Sequence, residues 1–234
     1  MSDPAFTGFN EKNTHRLIAQ AYADERAVAP LGDTDAELDI LTALEGMTSG
    51  RLMAERGELE HVAPSELLTP DFGYGYSFVN AALIYTRIGG NRFNGEGRGA
   101  WYAAMDIETS LAEISWHLDR EIRNAGGADN VSSYVELVAH VEGWMADLHA
   151  EPGHAALDPD PAAGYPEGQK LARTVRAKGG HGILYPSVRR KGGDCVAVFA
   201  TTAFRKVTRG DAYVLEWRGG KGPEVRRGRC CESA

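Results

Sequence analysis

Between residues 91 and 122 the chain changes character three times: NRFNGEGRG, then AWYAA, then DIETSLAEISWHLDREI. Glycines in the first piece permit close approach of backbone to whatever packs against it. The five apolar residues 100–104 read as a short strand. The third piece reads as a helix, with Asp106 as its N-cap, Thr109 in its first turn, and Leu111, Ile114 and Leu118 as a core-facing stripe. Glu113 falls beside that stripe, on the flank shared by Thr109, Trp116, His117 and Arg120, where a carboxylate borders a cleft without entering the core. A glycine loop, a short strand and an amphipathic helix in direct succession call for a sheet with helices packed on it.

The remaining chain supports the same class. THRLIAQAYADE, near the N-terminus, suggests a short helical stretch. Over residues 34–56, Thr34 with Glu37 forms a capping box, and Leu38, Leu41, Leu44 and Leu52 recur at helical intervals. PSELLTPDFGYGYSF (64–78) favours turns and extended backbone and marks the entrance to the main domain. AALIYTRI (81–88) fits a helix end or a buried strand equally. SSYVELVAHVEG (132–143) has strand character, and EPGHAALDPDPAAGYPEG (151–168) reads as a long loop. A helix over QKLARTVRAKGG, a strand over HGILYPS and another over DCVAVFATT follow. There is no internal repeat and no regular β–α alternation, so the expected fold is a single mixed α+β domain. Its expected parts are an N-terminal helical extension over 1–69, a core over 70–205 and a C-terminal segment over 206–234.

Composition excludes several function classes. A chain of 234 residues that is 43% apolar and 25% charged can bury one substantial core. A formal charge of −8 opposes a broad nucleic-acid surface, which needs many cationic contacts. The basic run RGGKGPEVRRGR (218–229) reads as a solvated tail. No run of about 18 apolar residues could cross a bilayer, and the N-terminus lacks a basic segment followed by an apolar one, so a soluble cytoplasmic protein is expected. Cys195, Cys230 and Cys231 form neither a disulfide framework nor a zinc site, and the histidines lack metal-ligand spacing. NGEGRG lacks the lysine and preceding strand of a P-loop, and DPDP (158–161) lacks the spacing of a calcium loop. No metal is expected.

Arg92, Tyr102 and Glu113 are separated by ten and eleven positions, and YPSVR places Ser187 just beyond a strand. Through NRFNGEGRGAWYAAMDIETSLAEISWH and GHGILYPSVRRKGGDCVAVF, in that order and spacing, the chain resembles the RES-domain toxins, over roughly residues 70–205. The resemblance implies a fold like the diphtheria-toxin type of ADP-ribosyltransferase, consumption of NAD+ as substrate, and pairing with an Xre-type antitoxin. It identifies Arg92, Tyr102, Glu113 and Ser187 as the family's arginine, tyrosine, glutamate and serine. It leaves the acceptor of ADP-ribose open between a protein side chain, water and inorganic phosphate; a protein acceptor is favoured because the N-terminal region could present a target.

Chemistry gives each residue type a reason. Cleaving the nicotinamide bond develops positive charge on the ribose, which a fixed carboxylate such as Glu113 stabilises. A guanidinium grips phosphate oxygens through paired hydrogen bonds, which suits Arg92 to a pyrophosphate. The face of the Tyr102 ring can stack on a cationic nicotinamide. Ser187 can donate to a phosphate or ribose oxygen, or cap its own turn. His117, one helical turn past Glu113, either lines the same site or packs as an ordinary histidine. A catalytically silent nucleotide-binding or repressor-complex module is the alternative of another class.

Overall fold

The computed structural model describes residues 4–23 and 49–228. Thr34, Glu37, Leu38, Leu41 and Leu44 of the expected 34–56 helix, and Cys230 and Cys231, lie outside the described residues. Leu52 falls in α1 (Gly50–Glu55), whose N-cap Ser49 accepts a hydrogen bond from the Leu52 amide.

Seven strands form one sheet in the order β1-β2-β5-β4-β3-β6-β7. They are β1 (Phe6–Ala19), β2 (Trp101–Ala104), β3 (Asn130–Asp147), β4 (Gly182–Pro186), β5 (Asp194–Val198), β6 (Phe204–Trp217) and β7 (Glu224–Gly228). The 18-residue β3 is the spine: β1 runs antiparallel along one edge, β6 along the other, and β4 joins it in parallel over Met145–Asp147. Since β1 also meets β2 at the pair His15↔Ala104, the pairings β1-β2-β5-β4-β3-β1 close a ring. The architecture is mixed α+β, as expected.

Two expectations near the termini need correction. THRLIA is strand rather than helix, because its partner decides: Thr14 is buried and its hydroxyl donates to the Ala139 carbonyl at 2.9 Å, and residues 14–19 pair in register with Ala139–Tyr134. Of the described residues of that stretch, Gln20–Tyr22 turn helically. At the other end, Glu224–Gly228 of the run expected as a solvated tail pair as the edge strand β7 while every one of these residues stays exposed; Arg226 pairs with Glu216 and Arg227 with Asp211 across it. Charges on an edge discourage further strand addition.

The strands in the middle of the ring are buried on both faces, which is why they read as continuous apolar runs. Trp101, Ala103, Val196, Val198 and Leu184 enter one core, while Ala104, Cys195, Ala197, Ile183 and Tyr185 enter the other. Helix α2 (Tyr76–Ile84), which resolves the ambiguous 81–88 run as a helix end, sends Val79 into the first core. Helix α4 (Pro161–Ala177) covers the second with Leu171, Ala172 and Val175. The expected loop over 151–168 thus ends early: Pro161 begins α4 at a position where its missing N–H costs nothing, and Asp160 caps the helix by accepting from the Ala162 amide at 3.0 Å. Helix α3 (Ile107–Asn124) starts at the predicted Asp106 cap and lays Leu111, Ile114 and Leu118 against Tyr134, Tyr213, Leu215 and Trp217. No helix among the described residues is long and apolar enough to cross a membrane.

A histidine clips the end of β3 to the start of β5. His149 places Nδ1 2.6 Å from Asp147 and Nε2 2.9 Å from Asp194, so both nitrogens face carboxylates and both need protons. Partial burial lowers its pKa, but the hydrogen bonds and charges of Asp147 and Asp194 together prevail and raise it. A raised histidine stabilises the fold below its unfolded pKa and stops doing so as pH rises through its folded value. The melting temperature lost in His149→Gln should therefore be largest under mildly acidic conditions and shrink toward alkaline pH; a deficit independent of pH would refute the clip.

Candidate active site

Helix α3, the loop carrying Arg92, strands β1 and β2 and the turn after β4 surround a cleft of about 330 Å³. Its position follows from the sequence succession 91–122: the loop is pinned over α4, β2 forms the floor and α3 forms the wall. Two contacts show how closely loop and helix meet. A Cβ on Gly168 of α4 would stand 2.2 Å from the Arg92 carbonyl oxygen, and one on Gly164 would stand 2.8 Å from Arg92 Nη1. Only glycine lets the helix cross there.

Arg92, Tyr102 and Glu113 all line this cleft. Arg92 is buried, and its Nη1 donates to the carbonyls of Ala156 at 2.5 Å and Asp158 at 2.8 Å. Its guanidinium also lies 5.4 Å from the Tyr165 ring centroid. One nitrogen of the fork thus ties the 155–158 turn to the loop. The Tyr102 hydroxyl accepts from the Phe93 amide at 2.8 Å and donates to Asn94 Oδ1 at 2.9 Å, which fixes the ring against the loop that bears Arg92. Burial pushes this phenol well above its usual range, so it stays neutral.

Ser187 meets Glu113. Its Oγ donates to Glu113 Oε1 at 2.5 Å and accepts from the amides of Arg189 and Arg190, both at 3.1 Å. The turn-capping reading is thus seen, and the same hydroxyl donates to the Glu113 carboxylate, a contact the sequence did not suggest. Burial raises the Glu113 pKa, while Ser187 and the charges of Arg189 and Arg92 oppose the rise. Removing the hydroxyl removes the largest of the opposing causes. In Ser187→Ala the acid limb of any activity that needs ionised Glu113 should move to higher pH; an unmoved limb in a folded variant would show that the hydrogen bond does not tune the carboxylate.

Arg16, Arg189 and Tyr165 are among the cleft residues that sequence reasoning missed. Arg16, from β1, donates Nη1 to the Tyr102 carbonyl at 3.0 Å and lies 4.9 Å from the Trp101 ring centroid. Its Nε is buried without a hydrogen-bonding partner among the described residues, and burial lowers its pKa to about 10. Reading β1 as helix hid it. Arg189 stacks 3.3 Å from the Trp116 ring centroid and donates Nη2 to the Pro159 carbonyl at 2.7 Å, so it bridges the turn, α3 and the loop before α4. Tyr165 lay in the supposed loop. His117 lines the cleft, as one of its two readings held. Among the described residues no group of histidine, cysteine and carboxylates could hold a metal ion.

The RES domain family model matches residues 69–218, more than half of the chain. The chain belongs to the RES domain family. No curated protein sequence matches it. Among solved structures it is similar to that titled "Crystal structure of the M.tuberculosis MbcT-MbcA toxin-antitoxin complex", at 12% identity over 87% of this chain and 86% of that one, with a TM-score of 0.41. That likeness is too distant to bear on fold or function.

Proposed function

We propose that this protein is the toxin of a toxin–antitoxin pair and an enzyme that cleaves NAD+ at the nicotinamide–ribose bond, passing ADP-ribose to an acceptor, in the first instance a protein side chain. The observation that carries this reading is the junction of Glu113 with Ser187 in a cleft shared with Arg92 and Tyr102. A carboxylate held by a hydroxyl, with cations nearby, is arranged to meet positive charge developing on a ribose, as a diphtheria-toxin-type core would. Arg92 and Arg16 both line the cleft and bring two cationic groups to it, more than one phosphate requires and suited to a pyrophosphate. The oriented Tyr102 ring offers a face to the nicotinamide, an attraction that fades as the ring loses its charge on cleavage. NAD+ enters as substrate, and no metal is needed by this scheme.

The partner proposed is an Xre-type antitoxin that blocks the cleft, for which a carboxylate or chain end against Arg92 would suffice. The cytoplasm is the compartment this reading requires. Incubation with NAD+ labelled in the ADP-ribose moiety and a cell lysate tests the reaction. Label fixed on a protein band supports transfer; free ADP-ribose, or its 1-phosphate when phosphate is supplied, would replace transfer by hydrolysis or phosphorolysis. Intact NAD+ throughout would overturn the reading.

A further inference from the structure

His117 sits one turn along α3 from Glu113 and lines the same cleft. Its Nδ1 is buried without a hydrogen-bonding partner among the described residues, and its ring meets Trp116 edge-on with centroids 5.0 Å apart. Four arginines from different segments act on its charge, Arg87 from the segment after α2, Arg92 from the glycine loop, Arg120 from its own helix and Arg189 from the turn after β4, and Arg87, Arg92 and Arg189 line the same cleft. The facing carboxylates are already engaged, Glu113 by Ser187 and Glu121 by Arg87 at 3.6 Å. Farther along the cleft, β1 contributes Arg16 and a His15 that is bonded to Glu136 of β3 at 2.6 Å. An imidazole among four arginines with no free carboxylate is held uncharged; burial, then those cations, lower its pKa to about 4.

This balance holds only while the cleft lacks a compensating anion. A ligand that brings two negative charges among the arginines cancels the repulsion and closes the cleft to water, so the imidazole gains a counter-charge it did not have. We propose that His117 makes the cleft a proton-coupled anion site, in which a pyrophosphate-bearing ligand binds together with one proton taken up from solvent by this imidazole. The proposal rests on the NAD+ reading for the identity of the ligand, but not for the coupling. It makes His117 a positioning and affinity-setting group whose charge state reports occupancy of the cleft, and it implies that affinity weakens as the proton becomes scarcer.

Calorimetric titration of the full chain with ADP-ribose, in buffers of different ionisation enthalpy from about pH 5 to 7, counts the protons exchanged. The expected result is net uptake approaching one proton and a Kd that rises by up to tenfold per pH unit. In His117→Gln, which keeps polarity and approximate size, the uptake and its pH slope should vanish while circular dichroism shows the fold retained. Glu113→Gln, run in parallel, should keep the uptake, since the proton belongs to the imidazole. Binding without uptake, or uptake unchanged in His117→Gln, overturns the proposal. If ADP-ribose does not bind but inorganic pyrophosphate binds with His117-dependent uptake, the proton coupling stands and the dinucleotide reading falls. If neither binds, both fall.

Discussion

Glu113→Gln is expected to bind NAD+ with little loss and to turn it over roughly 10²–10³-fold more slowly, the cost typical of removing one pre-positioned electrostatic group from a transition state. The amide keeps the shape of the carboxylate, and Ser187 can still donate to its carbonyl oxygen, so the surrounding turn has no reason to move. What disappears is the negative charge needed only when the ribose becomes cationic. Steady-state kinetics separate the cases: kcat should collapse with KM little changed. A raised KM at unchanged kcat would assign Glu113 to ground-state binding alone.

The second large effect lies beneath the site. Trp101 is fully buried, packs edge-on against Phe204 with centroids 5.3 Å apart, and carries the Arg16 guanidinium on its ring. Trp101→Ala should cost about 3–5 kcal/mol of stability by opening a cavity in the core between β2, β5 and β6. It should also release Arg16 from its aromatic support. Trp101→Phe, which retains a ring and discards an indole N–H that has no partner, should keep most of the stability. Urea denaturation of both variants checks this; a loss below about 1 kcal/mol for the alanine variant would mean that neighbouring side chains collapse into the space.

The loop, strand and helix around Arg92, Tyr102 and Glu113 were legible because each carries a local signal: glycines, an apolar run between them, and an Asp106 cap followed by a regular stripe. The structure brings these three residues to one cleft with Ser187 at its edge, through contacts no spacing reveals. What the sequence did not show has two physical causes. THRLIA has no strong preference of its own and becomes strand through pairing with β3 more than a hundred residues away, so Arg16 stayed out of view. The start of α4 was masked by prolines and glycines whose local tendency is to turn; Pro161 suits a first helical turn, and Gly164 and Gly168 are set by the approach of Arg92. Ser187 was read as a turn cap or a ligand contact, and its hydrogen bond to Glu113 stayed hidden because it joins residues 74 positions apart.

The ring of strands has a consequence for the order in which this protein comes into being. Strand β1 leaves the ribosome first, yet its partner β3 follows more than a hundred residues later, and Cys195 is the last of the cleft residues to be translated. Pairings this distant along the chain form slowly and late, after the loop between them has been closed against its entropy. A growing chain therefore has no cleft until β5 has emerged, however long its first half has been exposed. Under the toxin reading proposed above, the delay between translation of β1 and closure of the ring would be an interval of harmlessness written into the topology, during which a partner could already be waiting.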